Sequence, residues 1–269
     1  MIRNLSELYQ YRALLMALSV RELRARYRAS VLGFLWTFLN PTLSMFVYWL
    51  VFQVVMVRSG SFRAFPYFIF SGLLPWIFFS SSMLGGTTSV SDRRDLLTKV
   101  RFPAQVLPAT VVLTNLINLL LSVPLLIGLG LVFGFVPTWH LVFLLPVLLV
   151  QTFFTLAVSY LLAALNVAFR DLQHIVASVI QLAFFLTPIL WPMSQIPALG
   201  SLTQGESRQL VGALNPMAPL VNAWQDIFYN QQIPSDWTGL GIVAVEALLI
   251  MLVSTAVFER RREEFAELV

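Results

Sequence analysis

Six long apolar runs separated by short polar islands constrain this chain more than any other feature of its sequence. They fall at about 34–57, 66–86, 107–133, 141–167, 175–190 and 240–258. Most are near or above the roughly 18 to 20 residues a helix needs to cross a bilayer core. They are rich in Leu, Val and Phe and show no alternation of polar and apolar positions, so they read as helices and not as strands of a barrel. Hydrophobic residues make up 58% of the chain and charged residues 11%, where soluble domains carry about 45 to 50% and about 25%. The expected fold class is an all-α integral membrane protein with six transmembrane helices.

The stretch RELRARYRASVLGFLWTFLNP, Arg21 to Pro41, passes abruptly from arginines to an apolar run. Arg21, Arg24 and Arg28 share a helical stripe that can lie along an anionic leaflet while the chain enters the membrane from Leu32 onward. Upstream, Leu5, Leu8, Leu15, Leu18 and Leu23 are interleaved with Glu7, Arg12, Arg21 and Glu22, which predicts an N-terminal amphipathic interface helix too polar to span, with an ordinary cytosolic helix packed on its own protein as the alternative. The N-terminal segment has no continuous apolar core and no small-residue cleavage site, so it is expected to be retained. With six spans, fourteen of the 17 Lys and Arg residues fall on the side of the termini. Arg58, Arg63 and Arg208 fall on the other, and this bias places both termini in the cytoplasm.

The connections carry their own signals. Asn40-Pro41 predicts a kink or broken turn in the first span. Residues 87–106 form a charged island in which Ser89 and Asp92 stand at capping-box spacing, so a short helix is expected there, stopped by Pro103. From Trp191 to Asp236 five prolines interrupt the chain, and Leu220, Val221, Trp224, Ile227 and Phe228 suit an interfacial or re-entrant gate helix before the last span. The whole chain therefore reads as one transmembrane domain. Its parts are a cytoplasmic interface helix at 1–33, spans one to five at 34–190, an external gate region at 191–238, span six at 239–258 and a cytoplasmic tail at 259–269.

Catalytic chemistry is hard to find. There is no cysteine, and His140 and His174 fall on opposite sides of the membrane in this topology, so neither a metal site nor a catalytic site forms around them. Lys99 is the only lysine and no GxxxxGK[ST] loop occurs, so ATP use must come from a partner. The net charge of +4 sits in blocks beside apolar runs, which points to lipid headgroups and topology and away from nucleic acid. Glu246 is the one acid inside a span; it reads as facing a vestibule or pairing with Arg58 or Arg63 ahead of a proton relay. Gln53, Asn115, Asn118, Gln151 and Gln181 read as hydrogen-bonding contacts between helices. Tyr48, Trp49 and Phe52 in the first span, with Phe184, Phe185 and Trp191 around the fifth, offer flat faces on which sugar rings can slide. Plain packing or an interface belt is the alternative for any single ring.

These segments together resemble a known family. RELRARYRASVLGFLWTFLNP at 21–41, RFP at 101–103, NVAFRDL at 166–172, TPILWP at 187–192, NPMAPLV at 215–221 and the basic C-terminus look like the membrane subunit of type 2 ABC exporters. Within these the chain is most similar to polysaccharide export permeases, which move O-antigen, teichoic acid or capsule. The resemblance implies a homodimer in the bacterial inner membrane with two cytoplasmic ABC ATPase subunits that hold ATP and Mg, exporting an undecaprenyl-linked polysaccharide. It implies no cofactor on this chain. It assigns Asp92, Arg93, Arg94, Asp95, Lys99 and Arg101 to a coupling helix that docks in the ATPase, Arg170 and Asp171 to a second cytoplasmic contact, and Arg21, Arg24 and Arg28 to the interface helix. It places a path along the first and fifth spans. A drug-exporting ABC permease and an ion-coupled secondary transporter are the alternative readings.

Overall fold

The computed structural model describes residues 10–27, 32–55, 63–93, 102–197 and 203–260. Among them every regular element is helical. In chain order these are α1 (Arg12–Tyr27), α2 (Trp36–Trp49), α3 (Phe65–Thr88), α4 (Val106–Val132), α5 (Leu144–Ala168), α6 (Leu172–Leu186), α7 (Gln204–Leu214), α8 (Met217–Gln225) and α9 (Trp237–Arg260).

Four stretches are long and apolar enough to cross a membrane: 65–88, 106–132, 139–168 and 237–258. The segments expected as first and fifth spans hold shorter helices. α6, with 15 residues, rises about 22 Å against a core of roughly 30 Å. α2 is lengthened by a 3-10 turn at Gly33–Leu35 and a π segment at Leu50–Val55.

Several local expectations are corrected. α2 runs through Pro41 without the broken turn, one of the two outcomes expected there, and a π segment follows beyond Trp49. Ser89 is not the cap of the short helix expected in 87–106, part of which lies outside the described residues. It closes α3, its hydroxyl donating back to the Gly86 carbonyl at 2.7 Å. The true capping box is at Thr203 and Glu206, each side chain accepting from the other residue's backbone N–H. The segment read as interfacial or re-entrant is α8, continued by a π segment at Asp226–Asn230. Leu220, Val221 and Trp224 are completely buried inside the bundle, which counts against the interfacial alternative and leaves the re-entrant one.

α3 is the central pillar, buried along sixteen positions and packed on α2, α4, α5, α6 and α8. Pro66 at its first turn has no N–H to strand. Gly72 and Gly86 allow close approach: a Cβ at Gly86 would fall on the Ser159 hydroxyl of α5, and one at Gly72 would lie 2.8 Å from Gln225 Nε2. α4 ends in a Schellman turn, with Gly134 at φ +83, Phe135 N donating to Gly130 O and Gly134 N to Leu131 O.

Because successive long helices reverse direction, the bundle has two distinct ends. One gathers Tyr229, whose hydroxyl donates to Arg63 O, and Gln231, whose amide donates to Val136 O. Here Tyr67, Phe135 and Tyr229 pack ring on ring, and this is called the aromatic end. The other gathers the second half of α1, the end of α3, the start of α4 and the ends of α5 and α9, and is called the basic end.

Candidate coupling surface and conduit

At the basic end the polypeptide leaves α3 as a 3-10 turn, Ser91–Arg93, and this turn is fastened on three sides. Val90 is buried in an apolar cluster with Leu107, Tyr160 and Phe258. The Ser91 hydroxyl donates to Thr88 O and accepts from Asn166 Nδ2 of α5. Arg93 reaches Glu22 of α1, Nη2 to Oε2 at 2.6 Å, with the two side chains 27% and 20% exposed. α1 is held in turn to the start of α4 by fully buried Ser19, whose hydroxyl faces Thr110 O.

The turn thus ties two predicted contact segments into one unit. Arg93, expected to face a partner, spends its guanidinium on Glu22, and Asp92 beside it is exposed. Arg21 and Arg24 are also exposed, as are Arg170 and Asp171 at the turn between α5 and α6. The exposed face of α1 is mixed, since Met16 lies open as well. Arg28, Arg94, Asp95, Lys99 and Arg101, and the tail beyond Arg260, lie outside the described residues.

The expected conduit residues of α2 and α6 meet at one point. Tyr48 stacks on Phe184 with centroids 5.0 Å apart, and Trp76 of α3 meets the same ring edge-on. Trp49 and Phe52 are half-buried against the core. Phe185 turns outward, 61% exposed, and Trp191 donates from Nε1 to Phe185 O at 3.4 Å. α6 has just two buried residues, Val176 and Phe184. Ile180 and Ala183 pack partly buried against the core, and Ile175, Val179, Leu182 and Leu186 form an exposed flank.

Toward the aromatic end α8 is locked by side-chain amides. Gln151 accepts from Trp224 Nε1 at 3.0 Å and donates to Pro75 O at 2.9 Å, while Gln225 donates to Pro188 O. Buried amides satisfied in this way are cheap to keep and costly to orphan. Gln151 and Asn115, which donates to Ser82 Oγ, act between helices as their residue types implied. Gln181 is exposed.

Asp226 was missed as an organising group. Its buried carboxylate accepts from Asn222, Asn230 and Gln232 side chains and from the backbone and hydroxyl of Ser235. The signal was the spacing Asn222, Asp226, Asn230, one turn apart each way.

Glu206 works as a helix cap, and its hydrogen bonds from the Thr203 backbone and hydroxyl hold its carboxyl below the usual range. Asp236 caps Gly239 N. His140 and His174 lie at opposite ends of the bundle, and among the described residues no His, Cys, Asp or Glu group could hold a metal. Glu246 Oε2 meets no partner among the described residues, and Arg63 lies over the Phe135 ring.

The four long apolar helices define a multi-pass membrane protein. Residues 13–229 match the model of the ABC-2 type transporter family, and the chain belongs to that family. It is 56% identical over 268 residues, 99% of each chain, to the O-antigen export system permease protein RfbA of Myxococcus xanthus. It is 29% identical over 258 residues, 95% of each, to the protein of the same name from Klebsiella pneumoniae. The polysialic acid transport protein KpsM of Escherichia coli is 22% identical over 259 residues, 92% of this chain and 93% of that one.

Proposed function

We propose that this chain is the channel-forming permease subunit of an ATP-driven exporter that moves a lipid-linked, O-antigen-type polysaccharide across the bacterial inner membrane. The observation that carries the reading is the likeness to the O-antigen export system permease protein of Myxococcus xanthus, 56% identical over 99% of each chain. Two copies would form the pore, and two cytoplasmic ATPase subunits would supply the energy. Six spans and cytoplasmic termini follow if the helical stretch 33–55 and α6 both cross, which the arginine distribution favours.

The basic end would be the handle. An ATPase closing on nucleotide moves as a rigid body, and force applied at the Asp92 turn reaches α3 through the backbone, α5 through Asn166 and α1 through the Glu22–Arg93 pair. Arg170, Asp171, Arg21 and Arg24 would broaden the docking face. Arg94, Asp95, Lys99, Arg101 and Arg28 would complete it. The open flank of α6, with Tyr48 and Phe184 at its edge, would face the second copy and the path, with Trp49, Phe52, Phe185 and Trp191 further along it.

Deleting the gene should remove the surface polysaccharide and leave its lipid-linked form inside the cell. Restoration should require both this chain and an active ATPase. Surface glycan at the parental level in the deletion strain would refute the reading.

A further inference from the structure

We propose that the cleft between α2, α3 and α4 binds an uncharged, polyhydroxylated ligand, a glycan stretch of one or two sugar residues, at membrane depth within the chain. This rests on the exporter reading above and adds a place where the sugar is held, away from the Tyr48–Phe184 edge.

The cleft has a volume of about 440 Å³, within the range of small-molecule sites, roughly 300 to 1,000 Å³. Six polar side chains from three helices line it: Thr37 and Asn40 of α2, Ser81 of α3, and Asn115, Asn118 and Ser122 of α4. The α4 trio stands at i, i+3 and i+7, one face of the helix. Trp36 and Phe78 supply flat apolar wall. Among the described residues no charged side chain lines it.

That set selects a ligand class. An anion would call for arginine or lysine, and a cation for a carboxylate. A hydrocarbon tail can neither donate to nor accept from amides and hydroxyls, so it would make no use of their remaining hydrogen-bonding capacity. Carboxamides and hydroxyls both donate and accept, as sugar hydroxyls do, and aromatic planes suit the apolar C–H faces of the rings.

A second copy's helix is a poorer occupant. Helix pairs in membranes close over small residues, whereas this wall is recessed, with Thr37 7% and Asn115 4% exposed behind the exposed Asn40 at the rim. The inner wall is fixed in advance, since Asn115 donates to Ser82 Oγ and the Ser122 hydroxyl to Asn118 O.

The test places a photo-crosslinking benzoylphenylalanine at Ile77, a lining residue, or at Leu149, an exposed position on α5. The full transporter is irradiated in cells exporting radiolabelled glycan. A glycan adduct at Ile77 well above the Leu149 control is expected. Asn40→Leu with Asn118→Leu should weaken adduct formation and export roughly tenfold, for two lost hydrogen-bonding groups, with melting temperature unchanged.

Adducts only to a second copy, only to bilayer lipid, or no adduct above control would overturn the proposal. The exporter reading is scored separately by the deletion strain. Loss of surface glycan there with no adduct at Ile77 removes the cleft alone, whereas retained surface glycan removes the reading on which it rests.

Discussion

α3 and α6 are both apolar, yet they occupy opposite situations. Sixteen residues of α3 are buried against five other helices, while α6 buries Val176 and Phe184, packs Ile180 and Ala183 partly against the core and leaves one flank open. Since lipid is as apolar as leucine, hydrophobicity cannot sort the two; close approach and interhelical hydrogen bonds can. α3 has Gly72, Gly86 and the Pro75 carbonyl held by Gln151. α6 offers large side chains such as Ile175, Leu182 and Phe185 to whatever covers it. One helix is scaffold, and the other presents an open apolar flank.

The sharpest attack on that contrast is Gly86→Val. Its side chain meets Ser159 across the α3–α5 contact, and overpacking of this kind should cost about 3 kcal/mol, read as a large drop in melting temperature in detergent. Adding Ser159→Gly should recover part of the loss. An unchanged melting temperature for Gly86→Val would mean that α3 is not clamped there.

Next in size is Gln151→Leu, which strands the Trp224 Nε1 donor and frees the Pro75 carbonyl. A loss of about 1 to 3 kcal/mol is expected in the same assay. Trp224→Phe with Gln151→Leu should cost less than the sum of the two single changes.

Charge reversal at the handle should separate stability from coupling. Arg93→Glu or Glu22→Arg should change stability by less than about 1 kcal/mol, because the pair is partly solvated. Either should depress glycan export and ATPase stimulation, and the swapped double variant should restore both. Failure of the swap to rescue would show that Arg93 acts elsewhere.

On α6, Leu182→Ala should leave monomer stability within about 0.5 kcal/mol and weaken self-association in detergent, measured by mass photometry. A destabilised monomer with intact self-association would reverse the roles given to α3 and α6.

The smallest effect is at the α7 cap. The folded-state carboxyl of Glu206 titrates below its unfolded value, so its contribution is present above the unfolded value and lost as pH falls through the folded one. Hydrogen exchange at the α7 N-terminus should quicken over that acidic window, and Glu206→Gln should flatten the response.

Much of the architecture was legible in the sequence because hydropathy sets helix existence and length: the spans near 66–86, 107–133, 141–167 and 240–258 each fall on a long helix, displaced by at most a few residues. The segment from 215 onward was legible as a helix and illegible in depth. Its apolar residues fit a membrane interface as well as a bundle interior, and the decision rests on partners distant in sequence, Gln151 for Trp224 and Pro188 for Gln225.

The capping box near 203 was hidden by the stronger-looking Ser89 and Asp92 spacing. Val90 settled that case by sinking into the apolar cluster of the basic end. Likewise nothing in the sequence pairs Arg93, assigned to the coupling helix, with Glu22, and the fold brings the two together. The polar cleft was invisible one helix at a time, because Asn40, Ser81 and Asn118 converge only when α2, α3 and α4 pack.

The central claim is that this chain is a passive gated path driven through its basic end. Purified permease, reconstituted in liposomes with and without its companion ATPase, measures it most directly through ATP hydrolysis and translocation of labelled lipid-linked glycan. Expected is no hydrolysis and no net translocation by the permease alone, and ATP-dependent glycan movement once the ATPase is added. Glycan pumped uphill, or nucleotide hydrolysed, by the permease without any companion would contradict it.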